Sequence, residues 1–158
     1  MSRIVAFMGF SFGGTISYEL SRMLFLQTGH ACKVICGDSP ISFGHYVPLT
    51  PEQEAEEIRL IYSRDKGGSE IKARMIFEGY RAVLRLMSDR KAKEISSEIL
   101  LFCCSDNIFG DLPSFYRECG AKVTAVEVPA GHTEFCIDTD NLWHDLTVAK
   151  TLKFLSGN

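Results

Sequence analysis

Short apolar runs alternate along the chain with longer segments in which apolar residues recur every three or four positions. The runs predict strands, and the periodic segments predict helices, because their apolar side chains fall on one side of a helix. Strands that alternate with helices favour the α/β fold class, with about four parallel strands and flanking helices on both faces of the sheet. The predicted strands are 4–8, 32–36, 99–104 and 122–128, and the predicted helices are 12–27, 112–119 and one from Asp138 or Thr139 to near Gly157. Gly29 is the expected stop of the first helix, whose apolar stripe is Ile16, Leu20, Met23 and Leu24. The stripe predicted for the last helix is Leu142, Leu146, Ala149 and Leu152.

The segment between the second and third predicted strands is longer than a crossover requires. Thr50-Pro51-Glu52-Gln53 has the pattern of a capping box with proline in the first turn, which predicts a helix to about Arg64. Ser69 can cap a second helix that runs through Met87. One helix suffices as the crossover, so we expect a helical lid insertion at about 41–95; core packing of both helices is the alternative. The apolar stripe predicted for the second helix is Ile76, Tyr80, Val83, Leu84 and Met87.

Composition adds limits rather than a function. The 158 residues include 17 Lys and Arg against 20 Asp and Glu, a net charge of −3, and the length suits one domain over 1–158. Without a block of basic residues, we expect no nucleic-acid partner and no anionic-membrane surface. No apolar run approaches the roughly 18 residues that a membrane helix needs, so we predict a mature, soluble protein.

The cysteines indicate a reducing compartment. None forms the C-x-x-C pair of a zinc or redox site, and four lie in strand-like apolar runs, where a thiol behaves as a small apolar group. We therefore expect no disulfides and a cytoplasmic location. The six cysteines are Cys32, Cys36, Cys103, Cys104, Cys119 and Cys136.

One motif at the end of the first predicted strand points to chemistry. Gly9-Phe10-Ser11-Phe12-Gly13-Gly14 matches G-x-S-x-G between a strand and a helix, which is the setting of a nucleophile elbow. A sharp turn there exposes the serine at the carboxyl edge of the sheet, while the glycines let the strand and helix approach each other. A phosphate-binding loop is a weaker reading, since no lysine follows and G-x-G-x-x-G is absent; a plain structural turn is the other alternative.

A serine nucleophile needs a base and an acid that orients the base. His132 follows the fourth predicted strand, on a loop at the same edge of the sheet as Ser11. Two acids compete for the third role: Asp38 follows the second strand, and Asp106 follows the third. Either could instead be a turn residue that bonds its own backbone. Less suitable positions are held by the other histidines, His30, His45 and His144.

These motifs resemble those of the thioesterases of nonribosomal peptide and polyketide synthesis, which have the α/β-hydrolase fold. The similarity covers nearly the whole chain: the elbow continues into Thr15-Ile16-Ser17-Tyr18-Glu19-Leu20, and Val128-Pro129-Ala130-Gly131-His132-Thr133-Glu134-Phe135 is similar to the family's histidine motif. The resemblance implies that Ser11 is the nucleophile and His132 the base. In synthetase-integrated members the acid follows the first strand after the elbow, which favours Asp38; in stand-alone editing members it follows the next strand, where Asp106 stands.

The resemblance also implies a substrate. It would be an acyl or peptidyl chain on the phosphopantetheine arm of a carrier protein, released by hydrolysis or cyclisation, with the Phe12 N–H at the oxyanion and no metal or dissociable cofactor. Two alternatives remain open. One is a carboxylester hydrolase with the same triad, and the other is a catalytically impaired hydrolase fragment that acts as a binding or dimerisation module.

The chain departs from this family at its start. Family members carry several strands before the elbow strand, whereas here the elbow strand comes first, so we expect a partial α/β-hydrolase fold. A second oxyanion donor would be lacking, and the first strand would be an unpaired apolar edge. A truncated chain or gene fragment, a complementary chain at that edge, or a homodimer would explain this, and we favour a fragment-like domain that dimerises.

Overall fold

A computed structural model describes residues 4–41, 49–64, 69–87, 94–106, 109–136 and 142–157 of the chain. Contacts divide the chain into two compact units, one formed by Met1–Ile41 with Ala92–Asn158 and the other by Ser42–Lys91. Among the described helices, none combines the length and the apolar character that a membrane crossing requires. The elements in chain order are β1 (Ala6–Phe10), α1 (Phe12–Thr28), β2 (Lys33–Gly37), α2 (Pro51–Arg64), α3 (Glu70–Met87), β3 (Glu98–Cys104), α4 (Leu112–Glu118), β4 (Lys122–Val128), α5 (His132–Cys136) and α6 (His144–Ser156).

The larger unit is a four-stranded parallel sheet with strand order β1-β2-β3-β4. The predicted α/β class and the predicted number and direction of strands are therefore confirmed. Because all four strands run in the same direction, their carboxyl ends lie along one edge of the sheet, and the loops that follow β1, β2, β3 and β4 meet there. The sequence predicts that Ser11, the candidate acids and His132 lie at this edge.

Helices cover both faces of the sheet. On one face, α1 and α4 meet through the rings of Tyr18 and Tyr116, whose centroids lie 5.8 Å apart, above Val34, Ile99 and Leu101. On the other face, Phe135 of α5 and residues in and beside α6 pack against Ile35, Leu100 and Phe102. β2 and β3 are buried on both faces, as their apolar sequences predict.

Helix α1 packs on the sheet through the side opposite to its apolar stripe. It begins at Phe12 as predicted and ends at Thr28, one residue later than predicted, with its stop at Gly29, which adopts a left-handed conformation with φ 69°. An apolar stripe usually faces the core, yet Ile16, Leu20 and Met23 are 46%, 42% and 47% exposed. The side that faces the sheet and α4 instead consists largely of small residues, together with Tyr18: Gly14, Thr15, Ser17, Tyr18 and Ser21.

Some predicted bounds are wrong by one or two residues. β1 ends at Phe10 rather than at position 8, so Ser11 alone forms the turn into α1. The helix α5 was not predicted; His132 is its first residue rather than a loop residue. The last helix begins at His144, and the predicted start at Asp138 or Thr139 lies outside the described residues. It packs through Trp143, Phe154 and Leu155, not through the predicted stripe, in which Leu142 and Leu152 are exposed.

The smaller unit contains the helices α2 and α3. The predicted capping box is present: the Gln53 N–H donates to Thr50 Oγ1 at 3.3 Å, and the Thr50 N–H donates to Gln53 Oε1 at 2.8 Å. Ser69 caps α3 through the Lys72 N–H. The two helices pack through Ile58, Ala73 and Phe77. In the predicted stripe, Ile76 is exposed, and the side chains of Tyr80, Val83, Leu84 and Met87 lie outside the described residues. The lid role stays a prediction.

Candidate active site

Ser11 occupies a strained turn between β1 and α1. Its φ of 51° and ψ of −126° lie where side-chain-bearing residues are rarely found. The turn is held because the Ser11 N–H donates to the Gly37 carbonyl oxygen at 2.7 Å, which links it to the end of β2. Strain of this kind costs about 1–3 kcal/mol and is concentrated at functional sites, where the surrounding structure maintains it.

Two glycines of the motif allow this turn to form. A Cβ at Gly9 would lie 2.2 Å from the carbonyl carbon of Gly13, so the strand and the helix approach closer than any side chain permits. A Cβ at Gly14 would lie 2.0 Å from Ser39 Oγ. Gly13 differs, since a Cβ there would meet nothing within 4 Å. The close approach predicted from the motif therefore depends on Gly9 and Gly14.

Asp38 follows β2 and is almost fully enclosed. It is 2% exposed and has a positive φ of 43°, and its N–H donates to the Phe102 carbonyl oxygen at 2.7 Å. One carboxylate oxygen, Oδ1, accepts from the Cys104 N–H at 3.1 Å. The other, Oδ2, lies 2.6 Å from Nδ1 of His132, a contact between residues 94 positions apart in sequence.

The imidazole of His132 is fixed by its aromatic neighbours as well as by Asp38. The Phe10 ring centroid lies 4.8 Å from that of His132, and the Phe109 ring meets it edge-on at 5.1 Å. Phe10 directly precedes Ser11 in the chain, so the histidine packs against the strand that carries the serine. A Cβ at Gly37 would lie 2.6 Å from the Phe10 ring, which explains why glycine stands at the end of β2.

Asp106 contacts the backbone of His132 and not its ring. Its Oδ2 accepts from the His132 N–H at 2.8 Å. Next to it, the Ser105 N–H donates to the Ala130 carbonyl oxygen at 3.0 Å, and the Ser105 hydroxyl donates to the same oxygen at 3.2 Å. These bonds tie the loop after β3 to the loop after β4. The two candidate acids therefore differ in what they hold: Asp38 contacts the imidazole, and Asp106 anchors the start of α5.

This architecture is similar to that of solved thioesterases. Human thioesterase 2 superposes with a TM-score of 0.70 and 19% identity over 96% of this chain and 72% of that one. The NocB thioesterase domain, in a covalent complex with a fluorophosphonate nocardicin G analogue, superposes with a TM-score of 0.63 and 15% identity over 95% of this chain and 65% of that one. The chain has the thioesterase fold.

A further match extends the fold to a multidomain enzyme. AB3403, a four-domain nonribosomal peptide synthetase, contains a region that superposes with a TM-score of 0.59 and 18% identity over 94% of this chain and 14% of that one. No protein-family model matches the sequence, and no curated protein matches it. The likeness to thioesterases expected from the motifs is therefore confirmed at the level of the fold. This chain spans about two thirds to three quarters of the two thioesterases described above.

Within this thioesterase fold, the thiols near the site are held neutral. Burial, together with the nearby carboxylates of Asp38 and Asp106, raises the pKa of the Cys104 thiol to about 12. Burial also raises the pKa of the Cys103 thiol to about 11, with Asp38 contributing. A neutral thiol is a poor nucleophile and a poor metal ligand. Within the described ranges, no three or more His, Cys, Asp or Glu side chains are grouped to hold a metal ion.

A cavity of about 790 Å³ opens beside Asp38, between the end of β3, the edge strand β4 and the start of α4. Neither Ser11 nor His132 is among the residues that line it. Since it reaches only one of the predicted site residues, we assign it no role in the reaction. Its lining includes Cys103, Asp111, Leu112, Glu127 and Pro129.

The thioesterase fold brings together residues that sequence reasoning identified and others that it missed. Ser11, Asp38 and His132 all lie at the carboxyl edge of the sheet, as expected from their positions after strands. The aromatic residues Phe10 and Phe109 and the anchoring contact of Asp106 were not foreseen. The two-residue alternation of β1 could have placed Phe10 on the side of the sheet opposite α1, but no local signal marks Phe109.

Proposed function

We propose that this protein is a serine hydrolase that cleaves acyl thioesters, with Ser11 as nucleophile, His132 as general base and Asp38 as the orienting acid. The observation that carries the proposal is the 2.6 Å contact between the Asp38 carboxylate and the His132 imidazole, at the edge where the strained Ser11 turn lies. A hydroxyl becomes nucleophilic when a base takes its proton and a carboxylate holds that base.

In this proposal, each proton transfer follows from which imidazole nitrogen of His132 contacts Asp38 and which one is left for Ser11. With Nδ1–H donated to Asp38, the lone pair of His132 Nε2 is left for the Ser11 hydroxyl proton. Ser11 Oγ attacks the carbonyl carbon, the C–S bond breaks, and the departing thiolate takes the proton from Nε2. A water molecule then gives its proton to Nε2 and attacks the acyl-serine, which releases the acid and restores the hydroxyl.

The start of α1 supplies positive potential where negative charge develops. Phe12 is the first residue of α1, and the first N–H groups of a helix have no acceptor within it. The Phe12 N–H is the donor that we assign to the oxyanion. Removing one such donor typically costs ~10²–10³ in rate, so the efficiency of the reaction depends strongly on whether a second donor is present.

We propose an acyl or peptidyl chain on the phosphopantetheine arm of a carrier protein as the substrate. The support is the similarity to NocB and to the thioesterase-like region of a nonribosomal peptide synthetase, combined with the elbow and histidine motifs. The lid role of the α2–α3 unit, predicted from its place between β2 and β3 in the sequence, is part of this proposal.

Labelling with a fluorophosphonate probe tests the nucleophile. We expect the folded protein to be labelled at Ser11, because the probe reacts only with an activated serine. Ser11→Ala should abolish labelling, while the matched control Ser156→Ala, at the exposed end of α6, should leave it unchanged. Folded wild-type protein that stays unlabelled would refute the proposal and favour a non-catalytic binding module.

Turnover of paired substrates tests the leaving group. We expect an acyl-pantetheine thioester to be hydrolysed faster than the oxoester with the same acyl chain. The comparison is of kcat/KM for the two compounds with wild-type protein, using Ser11→Ala to measure background hydrolysis. A strong preference for the oxoester would reject a thioesterase in favour of a carboxylester hydrolase.

A further inference from the structure

Three side chains from different parts of the fold surround the imidazole of His132. Asp38, after β2, contacts Nδ1 at 2.6 Å. The Phe10 ring, at the end of β1, lies against the imidazole with its centroid 4.8 Å away and its plane tilted by 34°. The Phe109 ring, in the loop between β3 and α4, meets the imidazole at 5.1 Å with the two planes at 83°. The side chain of His132 is consequently only 18% exposed.

The carboxylate and the two rings restrict different motions of the imidazole. A hydrogen bond at Nδ1 fixes one atom of the ring, and the ring can still turn about the axis of that bond. Aromatic rings packed against an imidazole oppose such a turn, and here one lies at a low angle and the other nearly perpendicular. This matters for a base, because a misplacement of about 1 Å can cost on the order of 10²-fold in rate.

Of the two rings, only Phe109 is separate from the nucleophile. Phe10 directly precedes Ser11, packs on the Phe135 ring at 5.3 Å, and occupies the space beside Gly37. A substitution at Phe10 would therefore also disturb the strained turn. Phe109 lies after β3, in a loop that the turn at Ser11 does not include.

Phe109 is connected to the rest of the fold through helix α4. Its side chain packs against the buried cluster that contains Leu112 and Tyr116, two residues of that helix. Two positions after Phe109, the Asp111 carboxylate caps α4: it accepts from the Ser114 N–H at 3.1 Å and from the Ser114 hydroxyl at 2.7 Å. The ring that meets His132 therefore belongs to a segment that α4 holds in place.

We infer that Phe109 is a positioning residue for the proposed reaction: through it, α4 keeps the imidazole of His132 aligned for the Ser11 hydroxyl. Its effect on rate rests on the proposed function, whereas the restriction of the imidazole rests on the ring contact alone. Phe109 acts through His132 and takes no part in bond making or proton transfer.

The kinetics of acyl-pantetheine hydrolysis test this role. We expect Phe109→Ala to lower kcat by between about tenfold and 10²-fold with little change in KM, because a displaced base slows proton transfer and leaves substrate binding intact. Phe109→Leu should recover part of the loss, since it restores apolar volume beside the imidazole. The matched control is Phe115→Ala, which removes the same ring from α4 where it is 44% exposed and should leave kcat unchanged.

Proton NMR gives a readout that a merely structural role would not move. The Nδ1–H proton of a histidine bonded to a carboxylate resonates far downfield of the backbone amides, and it is seen only while its exchange with water is slow. Wild-type protein should show this signal, identified by its absence in His132→Gln. We expect the signal to broaden or vanish in Phe109→Ala and to persist in Phe115→Ala, with circular dichroism showing that both variants are folded.

Folded Phe109→Ala with wild-type kcat and an unchanged Nδ1–H signal would overturn the inference. So would a rise in KM at constant kcat, which would make Phe109 a substrate contact instead. If Phe109→Ala does not fold, Phe109→Leu takes its place, and wild-type behaviour of that variant in both measurements would contradict the role. Fluorophosphonate labelling of wild-type protein separates the two claims: labelled protein with an indifferent Phe109 refutes the positioning role alone, and unlabelled protein whose Nδ1–H signal depends on Phe109 refutes the proposed function alone.

Discussion

His132 is held by two carboxylates that act on different parts of the residue. Asp38 contacts the ring nitrogen Nδ1 at 2.6 Å, and Asp106 accepts the backbone N–H at 2.8 Å. The first contact orients the imidazole ring, and the second fixes the backbone at the start of α5. Both carboxylates thus contribute to the position of His132, but only Asp38 contacts its ring.

Replacing each acid with its amide distinguishes these roles. We expect Asp38→Asn to lower kcat by about 10³–10⁴, because an amide at that position no longer stabilises the imidazolium or enforces the required tautomer. Asp106→Asn should cost less than about tenfold, since its amide oxygen still accepts the His132 N–H in a bond worth about 1 kcal/mol. Thioester turnover measures both. Equal losses, or a larger loss for Asp106→Asn, would contradict the assignment of Asp38.

The contact between β1 and α1 depends on the absence of a side chain at one position. We expect Gly9→Ala to destabilise the protein by about 3 kcal/mol or more, because its Cβ would lie 2.2 Å from backbone atoms of Gly13, which cannot move aside cheaply. The matched control is Gly13→Ala, whose Cβ meets nothing and which sits in a helix, so it should be neutral or stabilising by up to about 1 kcal/mol. Urea unfolding monitored by circular dichroism compares the two, and similar stabilities would contradict the close approach.

Helix α1 shows which of its properties its own sequence determines and which depend on packing. Its length and its stop at Gly29 are local properties, and periodicity and glycine predicted both. Its orientation is not local. Close packing on the strand requires Gly14 and Ser17 on the sheet side, so the larger apolar residues Ile16 and Leu20 fall on the outside. An apolar stripe therefore predicts that a helix forms. It does not predict which side of the helix packs on the sheet when the strand backbone lies so close that only small residues fit between them.

The site was predictable to a similar extent. Strand-helix alternation and short motifs placed Ser11, Asp38, Asp106 and His132 after successive strands, and parallel pairing then brings them to one edge. The choice between the two acids could not be read from the pattern. It depends on contacts between distant parts of the chain: the Asp38 carboxylate meets the imidazole and the Cys104 N–H, whereas that of Asp106 meets the backbone of His132.

At the scale of the whole molecule, buried neutral thiols limit stability in alkali. Burial raises the pKa of Cys36 from an ordinary value of 9.0 to about 12. The folded state therefore keeps its proton where the unfolded state loses it. The stabilising contribution of this thiol is complete below pH 9 and declines as the pH rises toward 12, by up to about 1.4 kcal/mol per pH unit.

We expect the free energy of unfolding in urea to fall above pH 9 under reducing conditions, and the decline to be shallower in Cys36→Ala. Cys36→Ala also removes packing contacts, so its stability will be lower at every pH; the slope is the quantity to compare. Identical slopes in the two proteins would show that Cys36 ionises as readily in the folded state as in the unfolded state.

Asp38 and His132 are 94 positions apart, and under the proposed function this separation also governs when Ser11 becomes reactive during folding. Chain segments this far apart meet late, because the entropy of closing so long a loop must be overcome first, and parallel sheets with such distant pairings fold slowly. Under that function, the Ser11 hydroxyl of a nascent chain stays unreactive until β4 and His132 have left the ribosome and β4 has paired with β3. The rate at which fluorophosphonate labelling appears after dilution from denaturant would then measure the rate of the final assembly step.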